Sequence, residues 1–340
     1  MTHTGGESTL DGPDPVLADP ILRSTTLLDD VAGRHPKAIS FATGRPYGIT
    51  AAGMPTAAGR DALCRVLRVL RGSDRDVVLA VAPAYLGLTD AARRADVPVL
   101  PVADGPRGVD LDDLAAQVHG ARAAGLRPRA LYVVPDFANP SGIGLDQPAR
   151  RELLSTALEL NLLLLEDNPY GLIHVAGDRR PPTLEALDTR QRVVHVGSFA
   201  ETGRPGPLGR IGNPAHLLDG LAARFGRGPA ADRVHWTSPD GGFLVVLTVP
   251  FVADDELVEL SAREYGVLWT PMAHFYDPGI GPTHRLRLSC GTLDPATIDH
   301  GLDRLATLVG DRTGTRIGTG RPAAHPGPVT RPGHSRTGAR

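Results

Sequence analysis

Short apolar runs alternate along this chain with stretches whose apolar residues recur every three or four positions. Val77–Ala82, Val97–Val102, Ala130–Val134, Leu162–Leu165 and Val193–Val196 are short, continuous runs that suit strands buried on both faces. Between them, Leu111, Leu114, Ala115 and Val118 mark a helix from Leu111 to about Ala124, and a second helix spans Ala149–Asn161. Repeated units of this kind predict an α/β fold with a mostly parallel sheet flanked by helices. From about Asn213 to Asp240 the pattern weakens, with Gly206, Pro207, Gly226, Gly228 and Pro229 as breakers. A smaller α+β region follows: strand Phe243–Val249, helix Asp254–Tyr265, a strand-like Val267–Thr270, strand Arg285–Ser289 and helix Pro295–Val309. The expected organisation is a disordered segment 1–19, a large domain 20–212, an interdomain segment 213–240, a small C-terminal domain 241–310 and a disordered tail 311–340 rich in Arg, Gly and Pro.

Composition narrows the chemistry. Of 36 basic residues one is a lysine, Lys37, so any reaction that needs a lysine must find it there. Two cysteines exclude a disulfide scaffold and a cysteine-ligated zinc site, and the twelve histidines lack metal-ligand spacing, so no metal is expected. His195 and His274 read as structural. No apolar run reaches membrane-spanning length, and the N-terminal stretch lacks the features of a secretory signal, so the expected location is cytoplasmic and away from membranes. The tail carries six arginines and one acid but no aromatic interleaving, and no nucleic-acid partner is expected.

In a parallel sheet, ligands bind beyond the carboxyl ends of the strands, which makes the polar residues there the first candidates. Tyr85 follows one strand, Asn139 sits in an Asn-Pro-Ser-Gly turn after another, and Glu166-Asp167-Asn168-Pro169-Tyr170 closes a third. Gly197-Ser198-Phe199 closes a fourth, and Arg210 follows it. Each also has a plainer reading: Tyr85 as core, Asn139 as a turn former, Asp167 as a cap. Arg287 in Arg285–Ser289 could face solvent, with Arg285 as a rival on the same face.

Taken together and in order, these motifs resemble the class I/II aminotransferases, the fold type I family that uses pyridoxal 5'-phosphate (PLP). The resemblance covers most of residues 30–310, and Ala38–Pro46 with Val134–Phe137 is similar to the valine–pyruvate and dihydroxyphenylglycine transaminase branch. The resemblance implies that Tyr85 stacks on the cofactor ring, that Asn139 and Tyr170 hydrogen-bond its hydroxyl oxygen, and that Asp167 pairs with its nitrogen. It assigns the phosphate to Ser198 and Arg210, helped by backbone amides of a helix opening near Ala58–Asp61, and the substrate carboxylate to Arg287, with Gly44 at the substrate. It also implies an amino acid or 2-oxo acid as substrate and a dimer.

The departures are specific. Where the family carries the lysine that forms the Schiff base with PLP, this chain has Glu201, and Ala200 replaces a phosphate-binding serine. The chain is short between Pro46 and Thr56 and again between Arg210 and Trp236, and Arg60 replaces a commoner amide side chain. The leading expectation is therefore an aminotransferase-like protein impaired in transamination, binding PLP non-covalently if at all. The alternatives are an enzyme that uses Glu201 as acid or base on a preformed PLP aldimine or pyridoxamine phosphate, a non-catalytic subunit of a heterodimer with an intact aminotransferase, or a decayed gene product.

Overall fold

The computed structural model describes residues 20–42, 57–105, 107–171, 181–197, 214–239, 241–276, 281–315 and 317. In chain order its elements are α1 (Pro20–Arg34), β1 (Ile39–Ser40), α2 (Ala57–Leu70), β2 (Asp76–Ala82), α3 (Leu86–Ala95) and β3 (Val99–Ala103). There follow α4 (Leu111–Ala123), β4 (Arg127–Val133), α5 (Gln147–Glu159), β5 (Leu163–Asp167), α6 (Leu184–Leu187), β6 (Val193–Val196) and α7 (Pro214–Phe225). The chain continues with β7 (His235–Trp236), β8 (Leu244–Thr248), α8 (Asp255–Leu260), β9 (Val267–Leu268), β10 (Thr270–Pro271), β11 (Arg285–Ser289) and α9 (Pro295–Thr313).

Five strands form a parallel sheet in the order β3-β2-β4-β5-β6. Strand periodicity sends alternate residues to opposite faces. Val78, Ala80, Ala130, Tyr132 and Leu165 pack on α2, α3 and the C-terminal region, in one core that runs through to α9. Leu79, Leu131, Val133 and Leu164 pack on the other side with Leu114 and Val118 of α4 and Leu153 of α5. Aspartates cap four helices, Asp110, Asp146, Asp254 and Asp294 each accepting an amide N–H three residues on. Each cap stabilises its helix by about 1 kcal/mol.

The C-terminal region is an antiparallel sheet, β10-β11-β8-β7, whose buried residues share one core with those of α7 and α9. The two parts are stitched by residues 39–42. Strand β1 pairs in parallel with β9, the Phe41 amide donates to the Leu268 carbonyl, and the Phe41 carbonyl accepts from Ser289. The order of the parallel sheet reverses between β2 and β4, so a crevice opens at the carboxyl ends of those two strands.

Three expectations change in detail. The weak stretch after Asn213 contains α7, which opens at Pro214 and stops before Gly226, so one of the expected breakers is its stop signal. The helix expected over Asp254–Tyr265 is regular only to Leu260 and then widens into a π turn over Ser261–Tyr265. There Ser261 Oγ donates to the Val267 carbonyl and accepts from Trp269 Nε1. Helix α9 runs to Thr313, three residues into the expected tail, and Gly314 caps it with a left-handed backbone, φ 65°. The rest of the tail from residue 318, and residues 1–19, lie outside the described residues. No helix among the described residues is long and apolar enough to cross a membrane.

Candidate active site

Tyr85 caps the start of α3 at the end of the β2 connection, half-buried. Its ring lies back across Gly87, where a Cβ would approach ring carbon Cε1 to 2.2 Å, so this seat requires glycine. Beyond β4, the turn holding Asn139 is closed by the Ala138 amide donating to the Ile143 carbonyl at 2.9 Å and the Gly142 amide to the Ala138 carbonyl at 2.6 Å. Gly142 has φ 75°, and a Cβ there would meet the Leu244 carbonyl oxygen at 2.3 Å, so this glycine is needed for both backbone and space.

Beneath the turn lies a buried polar support. Arg150 of α5, fully buried, donates to the carbonyls of Leu145, Pro135 and Pro182 and to Asp136 Oδ1 at 2.5 Å. Asn168 Nδ2 donates to the second oxygen of Asp136 at 2.7 Å, which ties the end of β4 to the end of β5.

Strand alternation separates the two carboxylates of β5. Glu166 faces α6, accepts the amides of Leu184 and Glu185 at 3.0 and 2.9 Å, and lies 3.2 Å from His195 Nδ1. Asp167 faces the other way, onto the side of the sheet that carries Tyr132, whose hydroxyl donates to Asp167 Oδ2 at 2.6 Å. Burial pushes the Asp167 carboxyl up to about 6, against the opposing pull of Tyr132 and His195. The same burial and the neighbouring Asp167 hold the Tyr132 phenol well above its usual range, with the Tyr85 and Tyr170 phenols adding to the shift. Tyr170 is buried, its ring edge-on to Phe243 with centroids 5.3 Å apart.

Arg287 on β11 is buried, whereas Arg285 on the same face is exposed, and this distinguishes the two rivals. Arg287 Nη1 donates to Asn139 Oδ1 at 2.7 Å, and Nη2 donates to the Ala42 carbonyl at 2.9 Å and Thr270 Oγ1 at 3.3 Å. Its guanidinium lies 4.9 Å from the Phe275 ring centroid. Burial lowers it to about 10. Among the described residues no carboxylate pairs with it, and its Nε is buried without a partner. Because Asn139 accepts through its oxygen, its amide nitrogen is left pointing elsewhere as a donor.

The arrangement thus holds a desolvated carboxylate, Asp167, without a cationic ion-pair partner among the described residues, and a buried guanidinium without an anionic one. Those two needs fit one ligand that carries a protonated ring nitrogen and a carboxylate, as PLP joined to an amino acid does. Gly44, Ser198, Ala200, Glu201 and Arg210 lie outside the described residues, as does the side chain of Arg60, although α2 does begin at Ala57. Lys37 is described. It is exposed in the turn before β1, and its carbonyl accepts from Arg304 of α9 at 3.4 Å. Strand β1 runs from there toward Ala42, so Lys37 stands at the end remote from Arg287. The structure adds Tyr132, Thr270 and Phe275 to the site; an inward tyrosine in an apolar strand gave no sequence signal beyond core.

A sequence profile of aminotransferase class I and II matches residues 51–202. The (S)-3,5-dihydroxyphenylglycine transaminase of Amycolatopsis orientalis is 34% identical, over 86% of this chain and 92% of that protein. The chain belongs to the class I and II aminotransferases. The family is PLP-dependent. The alignment with the Amycolatopsis relative extends over 409 residues, more than the 340 of this chain, so the relative carries segments that are missing here. The 2-aminoadipate transaminase of Thermus thermophilus is 30% identical over 67% of this chain and 68% of its own length. Among solved structures, the multiple substrate aminotransferase of Thermococcus profundus superimposes with a TM-score of 0.70 at 20% identity, covering 85% of this aminotransferase and 95% of that chain. The α-aminoadipate aminotransferase of Thermus thermophilus, complexed with N-(5'-phosphopyridoxyl)-L-leucine, gives 0.67 at 22% identity, covering 86% and 97%. The fold is therefore PLP-transferase fold type I.

Proposed function

We propose that this aminotransferase keeps the half of the family site that holds the cofactor ring and the substrate carboxylate, and that it does not carry out lysine-dependent transamination. The observation that carries the reading is the position of the single lysine: Lys37 is exposed at the far end of β1, and the resemblance aligns Glu201 with the family's Schiff-base lysine. A carboxylate cannot form an imine, and a negative charge there opposes both a phosphate and a substrate carboxylate.

On this reading the occupant is PLP, held without a covalent link, together with an amino acid or 2-oxo acid. Bound PLP supplies an electron sink for charge that develops at a substrate carbon. Asp167 holds the ring nitrogen protonated, Tyr132 orients Asp167, and Tyr85 covers the ring. The Asn139 amide and the Tyr170 hydroxyl hold the ring hydroxyl oxygen, and Arg287, with three fixed acceptors around it, receives the carboxylate. Ser198 and Arg210 take the phosphate. Residues 20–212 then supply the ring side and residues 241–310 the carboxylate clamp.

Titration with PLP beside the Glu201→Lys variant tests this. The wild type is expected to show no lysine-imine absorbance and no transamination, and the variant to gain the absorbance. Robust transamination of any amino acid by the wild type would overturn the reading. Retention of Asp167, Asn139 and Tyr170 together favours a second one, in which Glu201 serves as acid or base toward pyridoxamine phosphate or a preassembled ligand. That second reading fails if Glu201→Gln leaves every detectable activity unchanged.

A further inference from the structure

The opposite end of the parallel sheet holds a second polar site that the ring site does not use. A cavity of about 420 Å³ opens beneath the amino ends of β4 and β5, walled by Arg122, Arg127, Arg129, Arg192 and Asn161. Four guanidiniums therefore line it from three chain segments, the last turn of α4, the start of β4 and the residue before β6, and Asn161 joins them from just after α5.

Their compensation is incomplete. Arg127 Nε and Arg129 Nη1 share one carboxylate oxygen of buried Asp76, at 3.3 and 3.2 Å. The other Asp76 oxygen is taken by the amides of Gly72 and Ser73 at 2.8 and 2.7 Å. Arg122 Nη2 donates to the Leu160 carbonyl and Arg192 Nη2 to Asn161 Oδ1, each at 2.6 Å, so both end on neutral acceptors. Asp188 accepts the amides of Arg190, Arg192 and Val193. Among the described residues no carboxylate lines the cavity.

One nitrogen of each guanidinium is thus engaged by the protein, and all four side chains line the same cavity. That is a preorganised fork array, and forks of this kind match phosphate oxygens bidentately. Like charges gathered around one cavity repel, and a multiply charged anion removes that repulsion. The volume lies within the range of small-molecule sites and exceeds the need of a single orthophosphate. Leu126, Pro128 and Leu163 add an apolar wall for an organic part.

We propose that this cavity is a binding site for a small diphosphate, inorganic or nucleoside-linked, separate from the ring site. The inference does not rest on the reading of the ring site. Calorimetric titration of the full chain with inorganic pyrophosphate, with ADP and with orthophosphate, at fixed ionic strength, tests it. The expected result is saturable one-to-one binding of pyrophosphate or ADP at least about tenfold tighter than orthophosphate, weakened about tenfold or more by Arg122→Gln with Arg192→Gln. Tighter ADP than pyrophosphate would show that the apolar wall reads an organic part; equal affinities would show that the diphosphate alone is read. If the double variant does not fold, Asn161→Asp serves instead. It places a carboxylate in the cavity at an exposed residue whose φ of 51° an aspartate tolerates, and it too should weaken binding about tenfold. No saturable binding at millimolar pyrophosphate or ADP, or equal binding in folded variants, would overturn the proposal.

Discussion

Tyr132 donates its hydroxyl to Asp167 across 2.6 Å, from the neighbouring strand and on the same face of the sheet. The bond, ahead of the nearby His195, holds Asp167 lower than burial alone would put it. Tyr132→Phe should raise the Asp167 carboxyl further above about 6 and, by leaving a buried acceptor unpaired, cost about 1–3 kcal/mol of stability. Carbon-13 NMR titration of the aspartate carboxyls, with urea unfolding alongside, reads both effects. An unmoved titration would mean that the bond does not set the charge of Asp167.

On the proposed reading Asp167 trades stability for ligand capture. Its carboxyl titrates near 6 in the folded protein against a usual 3.8, so the native state holds its proton more tightly. The sign follows: the stabilisation is complete below pH 3.8 and is lost as pH rises through 6. The loss amounts to at most ~3 kcal/mol, reduced by solvent at the open side of the group. Asp167→Asn should therefore melt higher than wild type at pH 7.5, with the gain shrinking between pH 6 and pH 4. The same variant should bind pyridoxamine phosphate more weakly. A gain that is the same at every pH would contradict this account.

The fourth strand end and the clamp strand were legible in the sequence: Val193–Val196 and Arg285–Ser289 fall where the apolar pattern puts them. Asp167 was legible as a strand-end carboxylate, but only side-chain direction separates it from Glu166, which spends its oxygens on the start of α6. The Tyr132 contact was hidden because it depends on the register that sets Tyr132 beside Leu165. Likewise the carbonyl of Ala42 reaches Arg287 only through the pairing of residues 39–42 with β9 and β11, a contact between segments 245 residues apart.

Arg287 makes a sharper test of the carboxylate clamp. The wild type should bind a phosphopyridoxyl amino acid more tightly than pyridoxamine phosphate by about 1.5–3 kcal/mol, the value of a charge-assisted pair. Arg287→Gln should remove that difference and leave pyridoxamine phosphate affinity nearly unchanged. Arg287→Lys should recover little, because a point charge cannot fill the fork held by Asn139, Ala42 and Thr270. Competitive calorimetry with the two ligands measures it. A preference that survives Arg287→Gln would place the carboxylate elsewhere.

A second pH effect sits on the surface. The side-chain hydrogen bonds from Arg34 and His35 pull the Glu259 carboxyl down to about 2 and tie α1 to α8. This contribution is present above about pH 4.5 and lost as pH falls toward 2. It is screened by solvent and worth under ~1 kcal/mol. Glu259→Gln should lower stability slightly at pH 6 and not at pH 2.5, as thermal melts would show.

On the proposed reading no lysine of this chain reaches the cofactor. Borohydride reduction in the presence of PLP, followed by peptide mass mapping, tests it most directly. The account predicts no stoichiometric pyridoxyl label on the wild type and one label at position 201 in Glu201→Lys. A stoichiometric label on wild-type Lys37 would contradict it.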